Sequence, residues 1–531
     1  MATAQPAQAP ITGATSGDGP SGAPIKAGQY AYRRPRTPAD QWRWLRRSGA
    51  VVVGLWAASL IALSSVVYHR SFLGEDYATY NQAWTLIGQG HLNPYDTVYG
   101  FPFIKADFEL ILWPLALIHL ALPQPNVLLW IQDLAIAGTG LVTFVWITEF
   151  LQRKEVHLGT AVVISSVALI AYIANPGIYG TLRFDLHMEP LSTLFLLLAG
   201  RDLWRGRLCR AWVWVAIVLL CGSFSAIMVV GLGVSALLAG RETRRSGLLL
   251  ITVGLAWTGL ISVLHANQGS AISQYAYLAD RQTLTGSNSV ALILGGALTH
   301  PWRVTDQLSN RLGDMFTLIK PVGVIGLASA WGFGIPVTVI LVDALNSQPD
   351  FLREPFQNFA VYPFVLLGTV MVLVGVAERF AWGVVVALMV AVVVTMQSLD
   401  YAYSSSPNII RGTISEVAPD TAAQLRLALA RTPPDAEVIA TLGIMGRFCA
   451  RQWCYFFSPD VARQVHTREV VFVFDTPAET RTTSTGSLNA IAYVRDRLHA
   501  RVLADAAGVA AFAWTPPPGT IQVTIPTTRQ P

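Results

Sequence analysis

Long apolar segments constrain the fold of this 531-residue chain more than any other feature. Five of them are almost free of charged residues: 49–68, 159–179, 246–264, 360–376 and 381–397. Each is close to the ~20 residues that an α-helix needs to cross the hydrocarbon of a bilayer. Because lipid offers no hydrogen-bond partners, only helices or closed barrels can span it, and unbroken apolar runs favour helices. The sequence therefore predicts a polytopic α-helical membrane protein.

The composition agrees with a membrane location and argues against nucleic-acid binding. Hydrophobic residues make up 53% of the chain and charged residues 13%, which is about half the charged fraction of an average soluble domain. The formal net charge is +5, but the arginines stand at the ends of the apolar segments. We therefore expect membrane lipids as partners and no nucleic acid.

The positions of the basic residues predict the orientation of the chain. Basic residues lie at 33–47, 153–154, 201–210, 241–245 and at Arg379, and short cytoplasmic loops retain such residues. Placing all of them inside gives about eleven helices, a cytoplasmic N-terminus and an extracytoplasmic C-terminal domain. The predicted helices are 49–68, about 126–150, 159–179, 190–203, 211–222, 225–240, 246–264, about 314–329, 333–346, 360–376 and 381–397.

The predicted domain organisation follows from these helices and from changes in composition. Residues 108–122 are apolar but short, and we interpret them as a juxtamembrane or re-entrant helix. Alternating strand-like and helix-like segments near the C-terminus predict a small α/β domain. The predicted regions are a disordered cytoplasmic tail (1–45), a transmembrane domain (46–400) with outer loops 69–125, 180–189 and 265–313, the extracytoplasmic α/β domain (401–515) and a frayed tail (516–531).

Two acidic residues follow the first apolar segment closely. Glu75 and Asp76 stand a few residues beyond its end, near the level of the lipid head groups. A carboxylate at this level can act as a general base, or bind a divalent cation such as Mg or Mn, beside a lipid-borne substrate. The alternative is that both are solvated loop charges.

A second group of ionisable residues lies in the predicted outer loop 180–189. Asp185, His187 and Glu189 occupy alternate positions, and Arg183 precedes them. Such a group can bind a phosphate, and Asp76, Asp185 and His187 together could hold a metal ion. The alternative is a helix start, where acidic residues are favoured by the helix dipole.

The loop 265–313 offers basic and aromatic residues, among them Arg281 and Arg303. Arginine forks and aromatic rings can hold a phosphate-linked sugar, although an interfacial aromatic belt gives the same composition. In the C-terminal domain, Cys449 and Cys454 are separated by four residues. Outside the cytoplasm they could form a disulfide; free thiols and half of a metal site are the alternatives.

Several of these stretches resemble a bacterial multispanning membrane family, domain of unknown function 2079, which is distantly similar to the GT-C glycosyltransferases. The stretch 76–84 is similar to the family pattern Asp-Leu-Gly…Asp-Gln-Ala-x-Trp, with Asn81 at the later acid. The stretch 184–191 is similar to Phe-Asp-Phe-His-Pro-Glu-Ala-Leu and retains Asp185, His187 and Glu189. The chain departs from the family at Asp107, in place of a histidine, and at 222–225, in place of Lys-Glu-Asp.

The resemblance implies a GT-C-like transferase that uses a polyprenyl-phosphate-linked sugar at the outer face of the membrane. Asp76 would be the catalytic base, with Glu75 secondary. The phosphate, a metal or the acceptor would be held by Arg183, Asp185, His187, Glu189, Arg281 and Arg303. A non-catalytic scaffold for envelope assembly and a transporter of lipids or solutes are the alternative functions.

Overall fold

A computed structural model describes most of the chain. It covers residues 38–70, 73–105, 108–183, 185–264, 271–282, 284, 289–348, 352, 354–379, 417–475 and 486–526. The predicted helix at 381–397, most of the predicted N-terminal tail and the end of the predicted frayed tail lie outside these residues.

The membrane domain is built from helices, most of them apolar. The first ones are α1 (Pro38–Arg70), α2 (Glu75–Gly88), α3 (Leu112–His119), α4 (Val127–Arg153), α5 (Leu158–Ile173), α6 (Pro176–Arg183) and α7 (Glu189–Trp204). They are followed by α8 (Leu208–Leu219), α9 (Ser223–Ala239), α10 (Arg241–Leu264), α11 (Ser289–Thr299), α12 (Pro301–Ile319), α13 (Ala330–Ala344) and α14 (Val361–Arg379). The segment 95–102 between α2 and α3 holds a small hairpin of β1 (Tyr95–Asp96) and β2 (Phe101–Pro102).

Within the described part of the chain, four helices are long and apolar enough to cross a membrane: Ala39–Arg70, Val127–Arg153, Arg241–Leu264 and Val361–Glu378. The bent pair α5 and α6 makes up to five. The bend falls at Pro176, whose ring and missing N–H break the helical hydrogen bonding. The chain is therefore embedded in the membrane, and the count of eleven helices stays a prediction.

The structure differs from the predicted helix at about 314–329. The amphipathic α12 continues to Ile319, and two short 3-10 turns, Lys320–Val322 and Val324–Ala328, connect it to α13. Pro321 and Gly323 explain the difference, because proline ends a regular helix and Gly323 has a positive φ of 91°.

Helices α1 and α4 run antiparallel and define the two ends of the bundle. At one end, Arg46 donates to the side chain of Gln152 at 2.8 Å. At the other end, the hydroxyl of Ser64 donates to a carboxylate oxygen of Asp133 at 3.0 Å. Farther along the chain, α9 packs closely on α13 through Gly231, where a Cβ would stand 2.7 Å from the Cα of Ile335. Small residues allow such close helix packing in membranes.

The C-terminal region forms a five-stranded sheet in the order β4-β3-β6-β8-β7. Its strands are β3 (Glu437–Ala440), β4 (Cys454–Phe456), β6 (Val470–Asp475), β7 (Arg501–Ala506) and β8 (Val509–Trp514), and a separate pair joins β5 (Arg463–Gln464) to β9 (Gln522–Val523). Strand β3 is parallel to β4 and β6, whereas β8 is antiparallel to β6 and β7. Helix α15 (Pro419–Arg431) packs on one face of the sheet and α16 (Gly486–Asp496) on the other.

The sheet domain is attached to the start of α2 and to the end of α1. The N–H of Val417 donates to the carbonyl of Arg70 at 3.0 Å, and the N–H of Gly446 donates to the carbonyl of Leu73 at 2.9 Å. The side chain of Asn81 donates to the carbonyl of Gly446 at 2.9 Å. These contacts fix the first turn of α2 between the two domains.

Candidate functional site

Asp76 stands in the first turn of α2, directly after the chain leaves α1. Helix α2 begins at Glu75, and acidic residues are favoured in a first turn by the helix dipole. The Asp76 side chain is 32% exposed, so it is open to solvent or to a ligand on one side.

His187 lies in the short segment between α6 and α7, and contacts with Gln132 and Phe356 hold it. Its backbone N–H donates to the side-chain oxygen of Gln132 in α4 at 2.8 Å. Its ring is stacked on Phe356, with centroids 3.5 Å apart and planes 7° apart. The imidazole is 9% exposed and is fixed in orientation.

The structure brings four of the predicted site residues together around this ring. His187 Nε2 lies 3.8 Å from Asp76 Oδ2, and His187 Nδ1 lies 3.9 Å from Glu189 Oε2. Asp185 Oδ2 accepts a hydrogen bond of 2.8 Å from the N–H of Gly74, which is 111 residues away in the sequence. Acidic side chains from two distant segments therefore meet at one place in the structure.

Burial determines the charge state of the histidine. It lowers the pKa of His187 to about 3, so the ring is neutral at pH 7. A neutral imidazole has one N–H and one lone pair, so it can donate to only one of the two flanking carboxylates. Burial also raises the pKa of Glu75, the neighbour of Asp76.

No described contact joins Glu75, Arg281 or Arg303 to the ring of His187. Glu75 makes no ion pair or side-chain hydrogen bond with the described residues. Arg303 forms an ion pair with Asp280 at 3.0 Å and donates to the carbonyl of Tyr277 at 2.9 Å, and Arg281 is exposed in the same region. Arg183 ends α6, and its side chain lies outside the described atoms.

The predicted metal site can be compared with the positions of the possible ligand side chains. Among the described residues, no three His, Cys, Asp or Glu side chains are grouped so that they could hold a metal ion. Asp185 Oδ2 accepts the hydrogen bond from the N–H of Gly74, and a metal ion held by Asp76, Asp185 and His187 stays a prediction.

The structure adds residues that the sequence analysis did not select. Gln132 and Phe356 hold His187, and Glu109 accepts a hydrogen bond of 2.6 Å from the hydroxyl of Tyr80 in α2. Gln132 and Glu109 could have been selected from the sequence because they are polar residues inside apolar segments. Phe356 could not, because an aromatic residue before an apolar helix is common in membrane proteins.

Cys449 and Cys454 form a disulfide in the sheet domain. Thr97, from the segment between α2 and α3, contacts the second cysteine: its Oγ1 accepts from the N–H of Cys454 at 3.0 Å and donates to the carbonyl of the same residue. The side chain of Gln82 donates to Thr97 Oγ1 at 2.8 Å. The disulfide loop is thus part of the surface that fixes α2.

Residues 73–510 match the model of a family described as predicted membrane protein (DUF2079). No curated protein sequence matches the chain. Among solved structures, the chain is similar to ArnT from Cupriavidus metallidurans, crystallised with bound undecaprenyl phosphate, at 12% sequence identity. The similarity covers 86% of this chain and 98% of that chain, with a TM-score of 0.44. The family match covers most of the chain, whereas the structural similarity is weak.

Proposed function

This chain belongs to the DUF2079 family of predicted membrane proteins, and from that premise we propose that it is a GT-C-like transferase that moves a sugar from a polyprenyl-phosphate carrier at the outer face of the membrane. The observation that carries the proposal is the position of Asp76 and Glu189 on opposite ring nitrogens of His187. The GT-C class comes from the sequence resemblance.

The distribution of charge supports an outward-facing site. Arg46 lies at the end of the bundle opposite to His187, and so does Lys154, which forms an ion pair of 3.1 Å with Glu378. Arg201 and Glu149 pair at the same basic end. Because short cytoplasmic loops retain basic residues, this end would face the cytoplasm and the His187 end the outside.

The proposed reaction is a direct displacement at the anomeric carbon of the donor sugar. Asp76 would accept the proton of an acceptor hydroxyl while the hydroxyl oxygen forms a bond to that carbon. The bond between the carbon and the phosphate oxygen would break, and its electron pair would leave with the polyprenyl phosphate. The configuration at carbon would invert. Asp76 is the better base of the two flanking acids because it is the more exposed, at 32% against 19% for Glu189.

The other residues around the ring would position the reacting groups. Neutral His187 would direct its one N–H towards Glu189 and its lone pair towards the side of Asp76. The separations of 3.8 and 3.9 Å are too long for direct hydrogen bonds, and the acceptor hydroxyl would enter between His187 Nε2 and Asp76 Oδ2, where it can donate to either. Asp185 would fix the start of α2 through Gly74.

The donor and the cation remain parts of the proposal. Arg183 is the basic residue nearest in sequence to Asp185, and it would hold the donor phosphate. Mg or Mn stays a prediction from the sequence, and no step above requires it. Loss of transfer on chelation, restored by either cation, would add a metal to the scheme.

The test is transfer by the purified full-length chain in liposomes that contain polyprenyl-phosphate sugars. The release of polyprenyl phosphate is measured by mass spectrometry for the unmodified protein and for Asp76→Asn. Loss of a general base reduces the rate by about 10²–10⁴-fold. Asp306→Asn is the matched control, because Asp306 is an exposed carboxylate on α12. Equal transfer by all three proteins would remove Asp76 from this role.

A further inference from the structure

A buried carboxyl group stands in the last turn of α13. Asp343 is 3% exposed, and among the described residues its Oδ2 has no hydrogen-bond partner. The helix dipole disfavours an acidic residue in a last turn, and a buried polar atom without a donor costs free energy. The described contacts therefore give this residue no structural role, and an ionisable residue inside a membrane domain is a candidate for a functional one.

Helix α13 runs towards the His187 end of the bundle. Directly before its first turn, Ser329 Oγ lies 3.6 Å from Met371 Sδ of α14. One turn later, an added Cβ at Gly332 would stand 2.9 Å from the Cα of Gly368, which precedes Met371 in α14. The two helices are therefore antiparallel. Because α14 ends at the basic end of the bundle, α13 ends at the opposite end, on the side of His187.

Asp343 faces the interior of the bundle at that end. Ile335 and Val339 precede it at intervals of four residues, so they lie on the same side of α13, and both belong to the apolar core. Glu189, at the start of α7, is close enough for its charge to act on the carboxyl group of Asp343. Since Glu189 also flanks the ring of His187, Asp343 adds a further acid beside the candidate site.

The 3-10 segment Ala271–Ala279 covers the end of α13. The hydroxyl of Tyr275 in this segment donates to the carbonyl of Val342 at 3.2 Å. Burial, and after it the charge of Asp343, raises the pKa of Tyr275. The tyrosine side chain and the carboxyl group of Asp343 are therefore neighbours.

The chemistry of these groups indicates the kind of ligand that fits between α7, α13 and the 3-10 segment. The carboxyl groups of Glu189 and Asp343 can accept hydrogen bonds from hydroxyl groups. A tyrosine ring offers an apolar face on which the C–H groups of a sugar can pack. Two acids repel a phosphate, so the phosphate of a lipid-linked sugar would lie elsewhere. The groups are therefore suited to the hydroxyl groups of a sugar.

We propose that Asp343 accepts hydrogen bonds from hydroxyl groups of the donor sugar and thereby determines which sugar is transferred. This inference rests on the proposed function and adds a specificity-determining residue to it, without a part in the bond-forming step. A site that hydrogen-bonds a substrate hydroxyl rejects the analogue that lacks it, because the buried polar group of the site is then left unpaired.

The experiment compares the donor sugar that the unmodified chain uses with its monodeoxy analogues in the liposome assay. The unmodified chain should use at least one deoxy donor about 10²-fold less efficiently in kcat/KM, as expected for a lost hydrogen bond to a carboxylate. Asp343→Asn has the same shape and lacks the charge, and it should reduce this discrimination to about tenfold or less. Asp343→Ala lacks both oxygens and should use the two donors about equally.

Asp202→Asn is the matched control, because Asp202 is a buried acid at the basic end of the bundle, where it accepts from Trp214 Nε1 at 3.0 Å. It should lower the unfolding temperature and keep the discrimination, whereas Asp343→Asn should do the reverse. Unchanged discrimination in both Asp343 variants would overturn the assignment and leave the transfer reaction in place. A lower unfolding temperature of Asp343→Asn with unchanged discrimination would identify Asp343 as structural. No transfer from any donor by the unmodified chain would instead refute the proposed function itself.

Discussion

The two ends of the helix bundle use carboxylates in different ways. At the basic end, Glu149 accepts from Arg201 Nε at 3.0 Å and also pairs with Arg205, all three being largely buried. At the other end, Asp76 and Glu189 flank a neutral histidine at distances too long for hydrogen bonds. The first arrangement pairs one acid with two arginines, whereas the second places two acids on either side of a buried neutral imidazole.

From this difference we infer that the basic end stabilises the fold and propose that the His187 end binds a ligand. A largely buried carboxylate with two arginines is costly to disturb, since either partner alone would be left as an uncompensated charge. The His187 end combines a buried imidazole of strongly lowered pKa with two acids beside its ring nitrogens. Perturbed pKa values cluster at functional sites, and we infer such a site at the His187 end.

The largest effects on transfer and on stability are expected when a glutamate is replaced by glutamine at each end of the helix bundle. Glu189→Gln should reduce transfer by about 10²-fold or more and change the free energy of unfolding little, because the site end is organised for binding. Glu149→Gln should lower the stability by about 3 kcal/mol, since two arginines then face a neutral amide, and leave transfer per folded molecule unchanged. Thermal unfolding in detergent and the liposome assay measure the two quantities. The opposite pattern would contradict the comparison.

The sequence predicted the segments of this site better than its geometry. Apolar length and absence of charge predicted helices that cross the membrane, and the family resemblance at 76–84 and 184–191 is confirmed by the family match. The sequence supports the contact between Asp76 and His187 only in that it places both residues in loops on the same side of the membrane. Gln132 and Phe356 could not be predicted, because helix packing rather than local pattern brings them to His187. The sequence shows a proline at position 176, but it does not predict the angle of the bend there.

The disulfide gives the next largest effect. Replacing Cys449 and Cys454 by serine removes a short covalent loop, which constrains the unfolded chain by about 2 kcal/mol. The unfolding midpoint of the sheet domain should fall accordingly, and the reduced protein should match the double variant. Because Thr97 and Gln82 contact this loop, α2 should become more accessible to hydrogen exchange. An unchanged midpoint after reduction would show that the loop is held by its hydrogen bonds alone.

Acid should weaken the His187 end selectively. Since the pKa of His187 is lowered to about 3, the unfolded chain binds a proton at this residue below its ordinary pKa of ~6.5 and the folded chain does not. Stability is therefore unaffected above pH 6.5 and falls as the pH decreases, by about 2 kcal/mol at pH 5. His187→Gln should lack this part of the pH dependence of unfolding. Identical pH profiles for the two proteins would mean that the ring is protonated in the folded state.

Gly74→Ala should have the smallest effect on stability, and it tests how the site is positioned. Gly74 lies outside the positive-φ region, so alanine causes no backbone strain there, but its Cβ would stand 2.9 Å from Asp185 Oδ2. The Asp185 side chain can move aside, so the free energy of unfolding should change by less than about 1 kcal/mol. Transfer should fall by about tenfold, because the start of α2 and Asp76 would shift from the position that Asp185 fixes. Gly54→Ala, where a Cβ meets nothing within 4 Å, is the matched control. The substitution changes no reacting group. A reduced rate with unchanged stability would therefore show that the hydrogen bond between Gly74 and Asp185 positions the base. Full activity would show that it does not.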